Sequence, residues 1–329
     1  MSAVAASSQD RPMHGIVFIL LGMTAISIND VLIKALSDGY PLHQMVFVRS
    51  AIGIIFSLAF LQFEGGWSLL RTDRPGLHVL RCLAVIIANM TFFAALATLP
   101  LADATALFFV APLVITVLSI PLLGEQVGPK RLAAVFVGFI GVLIMMQPGS
   151  VLDGEGPSLW VLMLPIVGAC AYALMQIMTR RLGGTTAASA LAVYIQGGFI
   201  VVSLLFWVVA GDGRYVEGLE NESLIFLLRP WRWPDESDLV LFLGLGFAAA
   251  IIGYTMSAAY KSASPATIAP FEYVALPLAI FWGWFAFGEW PSLQTGLGIL
   301  LILGAGLYVF LRERVKGRPV SSKRPLRRY

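Results

Sequence analysis

The stretch Ala269-Pro270-Phe271-Glu272-Tyr273-Val274-Ala275-Leu276-Pro277 places a carboxylate, two prolines and two aromatics inside one apolar run. That run extends from about Ser264 to Phe287, and roughly 20 apolar residues suffice to cross a bilayer. A Glu at such depth is costly unless it faces a cavity or a partner. The prolines withhold backbone N–H groups and leave carbonyls free where a ligand could use them. The segment implies a chain that spans a membrane and handles something polar within it.

The rest of the chain agrees. Of 329 residues, 58% are hydrophobic and 12% charged, against about 25% charged in soluble domains. Mean hydropathy is +0.83, which excludes a soluble globular domain. Cys82 and Cys170 sit in apolar runs and read as small hydrophobes, with no disulfide framework or metal spacing. His14, His43 and His78 give no ligand set, so neither metal nor cofactor is expected.

Ten spanning helices are expected, near 13–36, 42–63, 76–97, 101–123, 131–147, 157–179, 186–210, 238–260, 264–287 and 291–311. Residues 1–12 form a polar N-terminal tail and 312–329 a basic C-terminal one, KGRPVSSKRPLRRY at its end. With both termini in the cytoplasm, sixteen Lys and Arg fall on the cytoplasmic side. Three, namely Arg214, Arg229 and Arg232, fall on the other, and Lys34, Arg49 and Arg81 lie within spans. That asymmetry orients the chain and supports an even number of spans. The basic tail reads as an anchor on anionic lipid rather than a nucleic-acid arm. Trp231, Trp233 and Leu224 to Leu228 suggest an interfacial segment in the 211–237 loop.

Two stretches resemble each other at an offset of 164: LPLADATALFFVAPLVITVLSIPLLGEQ (99–126) and ASPATIAPFEYVALPLAIFWGWFAFGEW (263–290). Val110-Ala111 matches Val274-Ala275, Gly124-Glu125 matches Gly288-Glu289, and the helix-breaking Pro112 and Pro277 nearly coincide. The repeat unit is five spans, an odd number, so the second copy enters the membrane inverted. Inverted repeats with interrupted helices at matching positions point to a secondary transporter and to its site.

On these residues, with Asn29-Asp30-Val-Leu-Ile-Lys34 in the first span and Gly138 and Gly141 after the fourth, the chain resembles the EamA type of the drug/metabolite transporter superfamily. The resemblance covers two repeats, 13–147 and 157–311, in an all-α bundle of ten membrane helices. It implies a central cavity lined mainly by spans one, three, four, six, eight and nine. It implies a multi-pass protein of the inner membrane and allows a homodimer through spans five and ten. Members move amino acids, amines, vitamins, nucleotide-like metabolites and drugs, mostly outward, while some import S-adenosylmethionine or riboflavin.

Glu272 lies about eight residues into its span, roughly 12 Å of helix, close to mid-membrane. As a carboxylate it could hold a substrate amine; as an acid it could carry a proton; a structural hydrogen bond to a freed carbonyl is the plainer alternative. Its repeat partner is Phe108, so only the second half carries this charge. Asp30 and Lys34 stand one helical turn apart and can pair. With Arg49 they could form a compact outer cluster. Asn29 could touch ligand. At an offset of 146, Asp30 matches Gln176. Tyr273, Phe93, Phe108, Tyr172 and Tyr254 are candidate cavity walls. His78 and Arg81 are expected to snorkel toward lipid phosphates, and Asp103 reads as a helix N-terminal acid.

The expectation is a secondary transporter exporting a small polar metabolite such as an amino acid or amine. Uptake of S-adenosylmethionine or a riboflavin-like compound is the alternative. A channel would want charged rings or carbonyl filters. A membrane enzyme would want HExxH or a Ser/His pairing, and direct ATP drive a P-loop; the chain has none of these motifs.

Overall fold

The computed structural model describes residues 12–124, 127–146, 157–182, 187–262 and 271–315. The N-terminal tail, Glu125, Pro270 and the stretch 316–329 lie outside that set. Every regular element among the described residues is helical. In chain order they are α1 (Pro12–Leu36), α2 (Leu42–Glu64), α3 (Pro75–Leu96), α4 (Leu101–Phe108), α5 (Ala111–Leu123) and α6 (Pro129–Met146). They continue with α7 (Leu159–Leu182), α8 (Ala188–Ala210), α9 (Glu222–Leu228), α10 (Leu239–Ser262), α11 (Ala275–Phe287) and α12 (Leu293–Val315).

Among the described residues, seven stretches are long and apolar enough to cross a membrane, and Leu132–Met146, Ala275–Phe287 and Leu293–Val309 are shorter apolar helices. Large apolar side chains such as Phe136 and Leu300 point outward, 68% and 67% exposed, as suits a protein solvated by lipid.

The expected span over 101–123 is two helices. The chain leaves α4 at Phe109-Val110 and resumes as α5 at Ala111, with Pro112 in the first turn. Pro112 has no N–H for the carbonyl four residues back, so the helix cannot run through unaltered. The same break precedes α11, at Tyr273-Val274. Both 13-residue helices end on a left-handed glycine, Gly124 and Gly288, each at φ 68°. That conformation is cheap only without a Cβ.

α1 packs on α10, α3 on α7, α2 on α8 and α10, and α6 on α12. The α1/α10 and α3/α7 seams share one device. A Cβ on Gly22 would lie 3.0 Å from Thr255 Oγ1, and one on Gly168 would lie 2.9 Å from Thr91 Oγ1. Thr255 donates to the Ile251 carbonyl at 2.7 Å and Thr91 to that of Ile87 at 2.8 Å. Each hydroxyl is thereby satisfied within its own helix and can face a bare glycine in apolar surroundings. Gly22 and Gly168 are 146 residues apart, Thr91 and Thr255 are 164 apart, the two offsets of the sequence repeat.

The end of the bundle opposite the start of α1 is laced together by the 211–238 segment. Tyr40 donates to Asp238 at 2.7 Å and accepts from the Asp235 N–H at 2.9 Å. Gln44 donates to the Arg232 carbonyl at 2.7 Å, and Arg229 to that of Ser37 at 2.8 Å. α9 is not a lipid-facing interfacial segment: it docks on α2 and α3 and buries Phe226 to 1% exposure. Trp231 packs on Phe47, ring centroids 5.3 Å apart, whereas Trp233 is 89% exposed. His78 and Arg81 are buried at 6% and 8% exposure; the α3/α8 packing encloses them, with the His78 ring 5.0 Å from that of Tyr194.

α6 and α12 touch through backbone. A Cβ on Gly141 would lie 2.9 Å from the Gly298 carbonyl oxygen, and one on Gly298 would lie 2.7 Å from that of Gly141. Gly298→Val should therefore cost about 1–3 kcal/mol through overpacking and lower the melting temperature in detergent. Gly304→Val, where a Cβ meets nothing within 4 Å, should leave it unchanged; equal effects would refute this account of the seam.

Candidate substrate site

The two helix breaks meet each other. Phe109 and Tyr273, equivalent at the offset of 164, have ring centroids 5.4 Å apart. Gly306 on α12 leaves the room that the Tyr273 ring occupies, since a Cβ there would overlap the phenol hydroxyl. From this point a continuous run of rings crosses the bundle. Phe108 lies 5.6 Å from Tyr172 on α7 and 5.1 Å from Phe92 on α3, and Phe92 lies 5.6 Å from Phe93. Such spacings are those of favourable aromatic pairs.

Each end of the run is polar. At one end the Arg49 guanidinium sits between Phe93 and Phe199, 5.2 Å from each centroid. Arg49 and Asp30 are each 8% exposed and act on one another electrostatically. A buried charge of either sign would be costly alone; here the opposite charge and two ring faces compensate the guanidinium. Asn29 donates to Asp30 Oδ1 at 3.2 Å. Its own buried Oδ1 has no hydrogen-bond partner among the described residues. At the other end Gln176 donates to the Tyr172 hydroxyl at 2.8 Å. The half-buried Glu272 acts electrostatically on both Tyr172 and Tyr273.

Of the residues singled out in the sequence, Asn29, Asp30, Arg49, Phe93, Phe108, Tyr172, Gln176, Glu272 and Tyr273 fall in this assembly. Tyr254 does not. It is 47% exposed and lies between Phe60 and Phe18 on the side nearer the start of α1, centroids 5.2 and 5.9 Å away. The outer cluster of Asp30, Lys34 and Arg49 divides in two. Lys34 turns from Asp30 to Glu289, Nζ to Oε1 2.9 Å, and donates to the Leu99 carbonyl at 2.6 Å. Glu289 Oε2 accepts the Leu101 N–H at 2.9 Å. α3, α4, α1 and the end of α11 are thus tied at one point. Asp103 opens α4 as expected and faces this node, within electrostatic reach of Glu289 and Lys34.

Phe92 and Phe199 also fall in this assembly. Phe92 is one of many apolar aromatics in the sequence, and Phe199 carries no signal there at all. Only the packing of α3 and α8 around Arg49 distinguishes them.

Comparison with known proteins agrees with this architecture. Residues 13–147 match the EamA-like transporter family. A riboflavin transporter of Rhizobium johnstonii is 29% identical over 95% of this chain and 96% of its own length. The S-adenosylmethionine uptake transporter of Rickettsia prowazekii is 26% identical over 94% and 96%. The riboflavin transporter of Vibrio cholerae is 28% identical over 95% and 98%. A solved crystal structure superposes with a TM-score of 0.59 at 20% identity, covering 92% of this chain and 99% of the other; it speaks for the fold alone. The family match over residues 13–147 and transporter-named relatives of nearly full length make the chain similar to EamA-like multi-pass membrane transporters.

Proposed function

We propose that this chain is an uptake carrier, working by alternating access, for a planar aromatic metabolite of the riboflavin kind. The observation that carries the reading is the ring run Phe93–Phe92–Phe108–Tyr172 with hydrogen-bonding groups at both ends. A fused heteroaromatic offers a π face to such a wall, carbonyl acceptors to the Arg49 guanidinium, and an imide N–H to the Asn29 oxygen. Full-length similarity to proteins named as riboflavin transporters supports it. The relatives named for uptake weigh against the export of an amino acid or amine expected from the sequence.

S-adenosylmethionine is the second reading. Two acids, Asp30 and Glu272, flank the ring run, and a sulfonium with an ammonium group would suit them.

The carrier would consist of two inverted five-span halves, 13–147 and 157–311, with both termini in the cytoplasm. The matching breaks at Phe109-Val110 and Tyr273-Val274 support this, as do the two Gly–Thr seams at the repeat offsets. The charge asymmetry supports the orientation.

Proteoliposomes given labelled riboflavin and labelled S-adenosylmethionine in parallel should show saturable uptake of riboflavin. Uptake of S-adenosylmethionine alone would establish the second reading instead, and flux that fails to saturate would point to a channel. Phe108→Ala should raise the riboflavin KM by about tenfold, the equivalent of about 1.4 kcal/mol of stacking, and also lower the melting temperature, because Phe108 packs on Phe92 and Tyr172. Glu272→Gln should flatten the pH profile of initial uptake. A profile unchanged from the parent would remove Glu272 from any proton-carrying role.

A further inference from the structure

α2 carries a second feature that the ring run does not use. Arg49, Gly53, Ser57, Phe60 and Glu64 follow one another at spacings of four, four, three and four residues, which places them along one face of the helix. The face starts at the buried Arg49 of the central assembly and ends at Glu64, in the last turn of α2, at the end of the bundle where α1 starts. From Gly53 to Glu64 it forms one wall of a cleft of about 350 Å³ between α1, α2, α8 and α10. Volumes of about 300–1,000 Å³ accommodate small-molecule ligands.

The opposite wall explains why the space exists. α10 presents Ala249, Ala250, Gly253 and Ala258 to it, and a Cβ on Gly253 would meet nothing within 4 Å. The wall is mixed in chemistry rather than lipid-like. Phe60 and Tyr254 stack at 5.2 Å with an interplanar angle of 21°, offering ring faces. At the mouth Glu64 accepts from the Ser189 hydroxyl at 2.7 Å and from its N–H at 3.3 Å. At the opposite end of the bundle, the Lys34–Glu289 pair and the 211–238 segment tie helix ends together.

We propose that this cleft is the passage by which substrate moves between the central assembly and the face where α1 starts, with the bare Cα of Gly253 setting its bore. The inference rests on the carrier reading above. It assigns Ser57, Phe60, Gly253 and Tyr254 to a path for an aromatic, polar-edged solute, and it gives Tyr254 a role outside the central site.

The test is Gly253→Cys in a background of Cys82→Ala and Cys170→Ala, the two native cysteines. The added thiol is small, and its melting temperature reports folding. A charged, membrane-impermeant methanethiosulfonate is applied to inside-out vesicles and to spheroplasts, and modification is read by mass. The expected result is modification in the vesicles, where the start of α1 faces the reagent, and loss of riboflavin uptake to the level of empty membranes. Riboflavin present during labelling should slow the reaction. Reaction only with a lipid-soluble maleimide would mean a groove filled by lipid and would overturn the proposal. So would complete modification with uptake intact. A background protein that folds but takes up no riboflavin would overturn the substrate reading alone, and vesicle labelling would then decide the path by itself.

Discussion

A backbone amide that leaves helical geometry inside hydrocarbon has no water to turn to, so it must find a partner within the protein. This chain does so at two places. At the first, the Val110 N–H reaches the Leu107 carbonyl at 3.3 Å and the Leu113 N–H reaches that of Val110 at 2.9 Å. At the second, the Val274 N–H reaches the Phe271 carbonyl at 3.2 Å and the Leu276 N–H reaches that of Tyr273 at 3.1 Å. The breaks are therefore tight turns rather than open gaps. They re-aim the chain just where Phe108, Phe109, Glu272 and Tyr273 leave it. Phe109 meets Tyr273, Phe108 meets Tyr172, and Glu272 acts on Tyr172 as well. The repeat equivalents Phe108 and Glu272 thus converge on one phenol from two sides, one bringing a ring face and the other a charge. This difference between the two turns puts a charge on one half of the site and a ring on the other.

Charge is handled in two distinct ways. Arg49 and Asp30 share a buried region at the end of the ring run, where the guanidinium is also covered by two aromatic faces. A planar, weakly hydrated cation suits that setting better than an ammonium would. Lys34 and Glu289 instead hold the end of the bundle away from the start of α1. Their carboxylate and ammonium also satisfy backbone groups left over where α3 ends and α4 begins. The first pair is part of a surface a ligand could meet, and the second is a fastening between helix ends.

Much of the fold was legible from residues alone. Apolar runs of spanning length pointed to a helical membrane protein, and seven stretches of that kind stand among the described residues, because in a membrane every such run must close its own hydrogen bonds. Pro112 and Pro277 located the two breaks, since proline removes a specific backbone donor. Of the residues in the central assembly, the polar and charged ones stood out in the sequence against apolar neighbours, as with Asp30, Arg49, Gln176 and Glu272. The aromatics did not. Phe92 and Phe199 pack into the central assembly and Tyr254 does not, and no spacing separates them, because in lipid an aromatic is equally at home facing outward or inward.

The sequence by itself thus determined a helical membrane protein, the positions of its broken helices and the short list of buried polar groups. These follow from local chemistry: hydrocarbon demands internally bonded backbone, and charge within it stands out. Tertiary structure alone decided the partners. Lys34 had Asp30 one turn away, yet Glu289, some 255 residues on, takes it, because the end of α11 and the start of α4 arrive at the same point as the end of α1. Helical spacing fixes only what shares a face of one helix. Which face meets which neighbour depends on how glycines such as Gly22, Gly168, Gly141 and Gly298 let the helices approach.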